Sequence, residues 1–133
     1  MTNNELHSVQ INVSPTQLPS FMVNWVISYK CNLDCSYCVN HDNLVNPIPL
    51  DQCKRSIEFI FKYVDLLFSV KQKHEKIASI NIIGGEPFTH PNFLEILEYA
   101  HSLYKENYQD RWKLSICITT NGLAGNNLLK KCL

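Results

Sequence analysis

Glycine is scarce in this chain of 133 residues: only Gly84, Gly85, Gly122 and Gly125 occur, about half the average usage of ~7%. Each follows an apolar run, so the few positions carry information. An excess of charge of either sign is lacking too. Twelve Lys and Arg balance twelve Asp and Glu, and no basic run forms a phosphate-tracking stripe, so nucleic acid is not an expected partner. No apolar stretch approaches the ~20 residues that span a bilayer, and the opening Met1-Thr2-Asn3-Asn4-Glu5 lacks the basic-then-apolar order of a secretory signal. No membrane partner is expected, and the chain reads as cytoplasmic. Its length excludes tandem domains, since compact domains run to roughly 100 to 150 residues.

What is present is core-forming material and sulfur. Hydrophobic residues are 45% and charged residues 18% of the chain, close to globular averages, which argues for a folded core and against disorder. There are six cysteines, and Cys31, Cys35 and Cys38 fall within eight residues. In a chain with no export signal, that crowding favours metal or cluster ligation over a disulfide scaffold.

Residues 1–20 are polar, with Pro15 and Pro19, and only His7 to Val13 shows the alternation of an edge strand. They form an N-terminal extension, followed by a single domain over 21–133. Phe21 to Ser28 is rich in β-branched and aromatic residues and reads as a strand, with the cysteines on the loop leaving it. After Pro47 and Pro49, the spacing of Ile57, Ile60, Phe61, Val64 and Phe68 predicts a helix from about Leu50 to Val70. Lys71 to Lys76 is a solvated connection. Ile77 to Ile83 is a short apolar run closed by Gly84-Gly85, consistent with a strand buried on both faces. Pro91 sits at an expected first helical position, and Phe93, Ile96, Leu97, Ala100, Leu103 and Tyr104 continue a helical stripe. Lys113 to Thr119 is a third strand, closed by Thr120-Asn121-Gly122, and the tail from Asn126 resembles an interrupted helix.

The order is strand, helix, strand, helix, strand, with crossovers long enough for parallel connections, so the expected class is α/β with parallel βαβαβ units. No internal repeat or low-complexity tract competes with it. Ligand sites in such units gather at the carboxyl ends of the strands, where the cysteines, Gly84-Gly85-Glu86-Pro87 and Thr120-Asn121-Gly122 all fall. The spacing C-x3-C-x2-C can turn three thiolates toward one centre, which suits an iron-sulfur cluster or zinc. Three ligands leave a four-iron cluster one short, and that vacant iron is available to a small molecule. For zinc, His41 could complete a Cys3His set. Cys53, Cys117 and Cys132 read as small apolar residues or tail thiols, and Met22, Trp25 and Trp112 as packing residues. In Gly84-Gly85-Glu86-Pro87-Phe88 the glycines allow close approach of backbone to a ligand and the carboxylate can accept from an ammonium group. The same residues read equally as a turn before a helix, and Asn121-Gly122 as a turn.

Cys31-x3-Cys35-x-Tyr37-Cys38 after a first strand, with Gly84-Gly85-Glu86-Pro87 after a second, resembles the radical S-adenosylmethionine (SAM) family over residues 21 to about 125. The resemblance implies a four-iron, four-sulfur (4Fe-4S) cluster held by Cys31, Cys35 and Cys38, with SAM chelated at the fourth iron and cleaved reductively to a 5'-deoxyadenosyl radical. It implies a contact of Tyr37 near the adenine, although ordinary packing would also explain an aromatic there. It implies that Gly84, Gly85 and Glu86 grip the SAM amino group, a site contact through Asn121, and an electron donor such as flavodoxin or ferredoxin. The family fold resembles a partial TIM barrel, of which this chain offers about the first half. The expectation is therefore an N-terminal fragment, truncated frame or remnant of a longer enzyme. The alternative is a non-catalytic zinc-binding or interaction module.

Overall fold

Period-2 alternation decides the first element. In β1, Ser20–Ser28, the side chains of Phe21, Val23, Trp25 and Ile27 are buried while Met22 and Asn24 on the opposite face are exposed. A strand of this pattern needs one covered face, and two helices supply the cover. The computed structural model describes residues 20–39, 46–69 and 76–123. The expectations placed on residues 1–19, on His41, on 71–75 and on the tail with Cys132 lie outside the described residues.

The next elements are α1 (Leu50–Phe68), β2 (Ile77–Gly84), a short 3-10 helix (Pro87–Thr89), α2 (Phe93–Asn107) and β3 (Lys113–Ile118). The three strands make one sheet in the order β1-β2-β3, and both pairings are parallel. This is the α/β, parallel βαβαβ arrangement expected. Val23, Ile80 and Ile116 lie side by side across the sheet, as do Asn24, Asn81 and Cys117 on its other face. Parallel crossovers are right-handed almost without exception, so two that advance the sheet in one direction place their helices on one side. There Cys53, Ile57, Phe61, Val64 and Phe68 of α1 join Phe93, Ile96 and Ala100 of α2 over Ala78, Ile80 and Ile82. Trp25 and Trp112 belong to this core, as expected, whereas Met22 stands exposed.

Two expectations are corrected. β2 is not buried on both faces: Ala78, Ile80 and Ile82 are buried under the helices, but Ile77, Ser79, Asn81 and Ile83 are only half-buried. The apolar run Ile82-Ile83 reads the same whether one face or two are covered. Pro91 is not at the first helical position either, because α2 starts at Phe93 behind Asn92. The His90 ring accepts the Asn92 N–H at 3.1 Å and its other nitrogen meets the Ile48 carbonyl at 2.8 Å, which holds 90–92 as a turn. The proline at a helix start is Pro87, in the 3-10 helix.

At the end of the sheet away from the cysteines, Phe61 meets Trp112, Tyr108 and Tyr104 edge-on at centroid distances of 5.5, 5.6 and 6.5 Å. These contacts join α1 to the segment leading into β3. Phe61→Ala removes a fully buried ring, and the expected loss is about 3–5 kcal/mol in denaturant unfolding, against a few tenths for Phe59→Ala on the exposed side of α1.

Candidate metal centre

The geometry of the site begins with two places where a β-carbon would not fit. A Cβ on Gly84, whose φ is +155°, would stand 2.0 Å from the Ser28 carbonyl oxygen, and one on Gly85 would stand 2.4 Å from that of Lys30. The close approach that the glycines permit is to the chain's own backbone. Gly85 N–H donates to Ser28 O and Glu86 N–H to Lys30 O, both at 2.9 Å. The register of β1 on β2 slips between Val26 and Ser28, an irregularity that bends a strand end and re-aims the residues beyond it. Those residues form the cysteine loop, which is fastened to the end of β2 before it departs.

Cys31, Cys35 and Cys38 are half-buried free thiols on that loop. The Cys38 N–H donates to Cys35 O at 3.0 Å, closing a turn between them. Cys31 Sγ accepts the Leu33 N–H at 3.4 Å and the Asn121 Nδ2–H at 3.9 Å. Tyr37 is 88% exposed, so it does not pack under the loop. A hydrogen bond to Cys35 raises its pKa above the ordinary tyrosine value, reinforced by charge at Cys35, slight desolvation and Cys38.

Glu86 is fully buried. Its Oε1 accepts from Phe88 N–H at 3.1 Å, both oxygens accept from the Thr120 hydroxyl at 2.9 Å, and Oε2 accepts from Asn121 N–H at 2.8 Å. The carboxylate thus faces inward, toward the end of β3. Thr120-Asn121-Gly122 is a turn, with Gly122 at φ +76° and Asn121 Oδ1 accepting the Leu123 N–H at 2.9 Å. It is also a contact with the cysteine loop, since Asn121 Nδ2 donates to Asn32 Oδ1 at 2.8 Å. Sequence reasoning placed Thr120 in its third motif without giving it a role, and did not single out Asn32. A pair of hydroxyl and amide donors at one strand end, opposite a carboxylate at the next, was the available signal for Thr120. Nothing in the sequence distinguished Asn32.

On the open face beside this rim, Asn81 Nδ2 donates to Asn24 Oδ1 and Thr119 Oγ1 donates to Asn81 Oδ1, each at 3.0 Å. Polar residues at matching heights in otherwise apolar strands were the signal for this ladder.

Three thiols on one loop are a donor set that suits an iron-sulfur cluster or zinc. Among the described residues, no three or more His, Cys, Asp or Glu are drawn together closely enough to hold a single metal ion. Cys31 Sγ also donates to Asn32 Oδ1 at 3.8 Å. Cys53 stands apart: it is buried against the Ile48 carbonyl, and burial, aided by the charge of Asp51, pushes its pKa up to about 11.

Comparison with known proteins adds the family. Residues 25–132 match the Radical SAM superfamily. The chain is 33% identical over 103 residues to an S-adenosylmethionine-dependent nucleotide dehydratase of Selenomonas ruminantium, covering 77% of this chain and 30% of that protein. It is 31% identical over 96 residues to the antilisterial bacteriocin subtilosin biosynthesis protein AlbA of Bacillus subtilis, covering 72% and 17%. It is 29% identical over 101 residues to a GTP 3',8-cyclase of Chlorobaculum tepidum, covering 76% and 26%. The chain therefore spans less than a third of the length of these relatives.

The geometry has two measurable consequences. Gly85→Ala forces backbone against backbone, so the unfolding free energy should fall by at least about 1–3 kcal/mol, measured by denaturant titration. At pH 8 a small alkylating reagent should label Cys31, Cys35 and Cys38 in the metal-free chain while sparing Cys53, as read by peptide mass spectrometry.

Proposed function

The chain belongs to the radical SAM superfamily, and on that premise we propose that it carries the cofactor-binding part of a radical SAM enzyme. Cys31, Cys35 and Cys38 would hold three irons of a 4Fe-4S cluster, leaving the fourth iron for the amino and carboxylate groups of SAM. The observation that carries the reading is the meeting at one rim of the thiol loop, the Gly84-Gly85-Glu86 turn and Asn121, whose carboxamide reaches Cys31 Sγ at 3.9 Å. When bound, cluster and SAM supply one-electron cleavage of a sulfonium C–S bond, giving methionine and a 5'-deoxyadenosyl radical that takes a hydrogen atom from substrate.

The chain's own residues bind and orient. Because the Glu86 carboxylate is turned inward, Gly84, Gly85 and Glu86 would meet the SAM ammonium group through backbone carbonyls rather than through that side chain. Tyr37, exposed beside Cys35, would border the adenosyl group, and its exposure leaves its ring open to such a contact. The electron would come from a flavodoxin- or ferredoxin-class donor. Thiolate-held clusters need a reducing compartment, and the five described cysteines are free thiols, which supports a cytoplasmic setting. The relatives' names concern a nucleotide, GTP and a bacteriocin. A segment shared among proteins so named supports cofactor handling as its common duty, and the substrate is read elsewhere.

The test is anaerobic reconstitution with iron and sulfide, then SAM and dithionite. The expected result is about four irons per chain and formation of 5'-deoxyadenosine, with both lost in Cys35→Ala. Failure to take up iron, or binding of one zinc with no SAM cleavage, would refute the proposal in favour of the zinc module.

A further inference from the structure

Glu86 is a carboxylate buried to 0% exposure, and among the described residues no ion pair involves it. Burying such a group without hydrogen-bond donors is costly. Here one donor, Phe88 N–H, comes from its own turn. The others, the Thr120 hydroxyl and Asn121 N–H, come from beyond the end of β3, 34 and 35 residues along the chain. The carboxylate therefore fastens the turn after β3 to the turn after β2. Asn121 holds its backbone to Glu86 at 2.8 Å and extends its carboxamide to the cysteine loop, 2.8 Å from Asn32 Oδ1 and 3.9 Å from Cys31 Sγ.

We propose that Glu86 is a positioning residue that sets the electronic state of the cluster through Asn121, rather than a ligand of SAM. The inference rests on the proposed function, because it needs a cluster on Cys31. An N–H donated to a ligating thiolate withdraws electron density from the iron and makes the reduced cluster easier to reach, so donors to the sulfurs raise its potential. Cys31 Sγ has two such donors. Leu33 N–H, at 3.4 Å, comes from two residues away on the same loop and needs no outside support. The Asn121 carboxamide comes from another strand, so it holds its place only while the turn that carries it is held. Glu86 fastens that turn to β2 through the Thr120 hydroxyl and the Asn121 amide, beside the carboxamide's own bond to Asn32 Oδ1 and the bonds within the turn. The dependence has a chain of three links: carboxylate to backbone amide, carboxamide to sulfur, sulfur to iron.

The experiment uses the full chain, reconstituted without SAM, and follows the cluster's midpoint potential by redox titration with electron paramagnetic resonance. Asn121→Ala, a change at an exposed side chain, should shift the potential to more negative values. Glu86→Gln keeps the size of the side chain but turns an amide donor toward donors that need an acceptor. It also removes a negative charge, which by itself raises the potential, so the readout is the coupling between the two sites. The shift caused by Glu86→Gln should be more negative in the native background than in the Asn121→Ala background, where no donor remains to be lost. Additive shifts, or an unchanged potential in Asn121→Ala, overturn the proposal while leaving the proposed function standing.

A second readout needs no cluster. In the metal-free chain the Asn121 amide should exchange its hydrogen slowly, and Glu86→Gln should speed that exchange at least about tenfold while amides in the middle of β2 keep their rates. Equal exchange in the two chains overturns the positioning role even if no cluster is ever formed. Absence of a cluster from the unmutated chain, by contrast, defeats the proposed function and takes the electronic half of this inference with it.

Discussion

The site depends on one backbone contact, the lacing of the residues that leave β1 onto the turn that ends β2. Ser28 O and Lys30 O each accept an amide from that turn at 2.9 Å, and the approach is so close that a side chain at Gly84 or Gly85 would collide with the carbonyls. Without this contact the cysteine loop would leave the sheet held only by side-chain bonds such as Asn121 to Asn32 and Thr89 to Lys30 O. With it, Cys31 begins one residue after the laced segment, beside Asn121. Two hydrogen bonds between backbones in a close-packed turn resist displacement more than an exposed side-chain contact does. The start of the cysteine loop is thus set by packing.

The two faces of the sheet divide the work. Under the helices, Phe61, Trp112 and their aromatic neighbours bind α1 to the segment entering β3, which fixes the relative height of the strands. That height brings the ends of β1, β2 and β3 to one rim. On the open face, Asn24, Asn81 and Thr119 hydrogen-bond across all three strands just below the rim. Burial on one side therefore supplies stability, and the rim above the other side carries the cysteine loop, the Gly84-Gly85-Glu86 turn and Asn121. Among the described residues no helix is long and apolar enough to cross a membrane.

Much of this was legible from residue patterns. Richness in β-branched and aromatic residues located β1 to within one residue, and helical spacing found the buried side of α1, because burial on one face imposes a period that composition alone cannot imitate. The cysteine spacing and the glycine pair pointed to one rim because parallel strands must end at one edge. The rest was hidden for physical reasons. Gly84-Gly85 announces a close approach but not whose atoms approach. Glu86 looks like any loop carboxylate until β3 brings Thr120 and Asn121 to it. Pro91 satisfies the preference for a helix start, yet the His90 ring, bonded to a carbonyl 42 residues away, settles that segment as a turn. Long-range partners decided each of these, and local pattern does not encode them.

The central proposal is that Cys31, Cys35 and Cys38 would hold three corners of a four-iron cluster and leave the last for SAM. Mössbauer spectroscopy of the reconstituted chain with and without SAM tests it most directly. The account predicts one iron environment distinct from the other three, changed by SAM while the others stay as they were. Four equivalent irons indifferent to SAM, or a single tetrahedral iron ligated wholly by side chains, would contradict it.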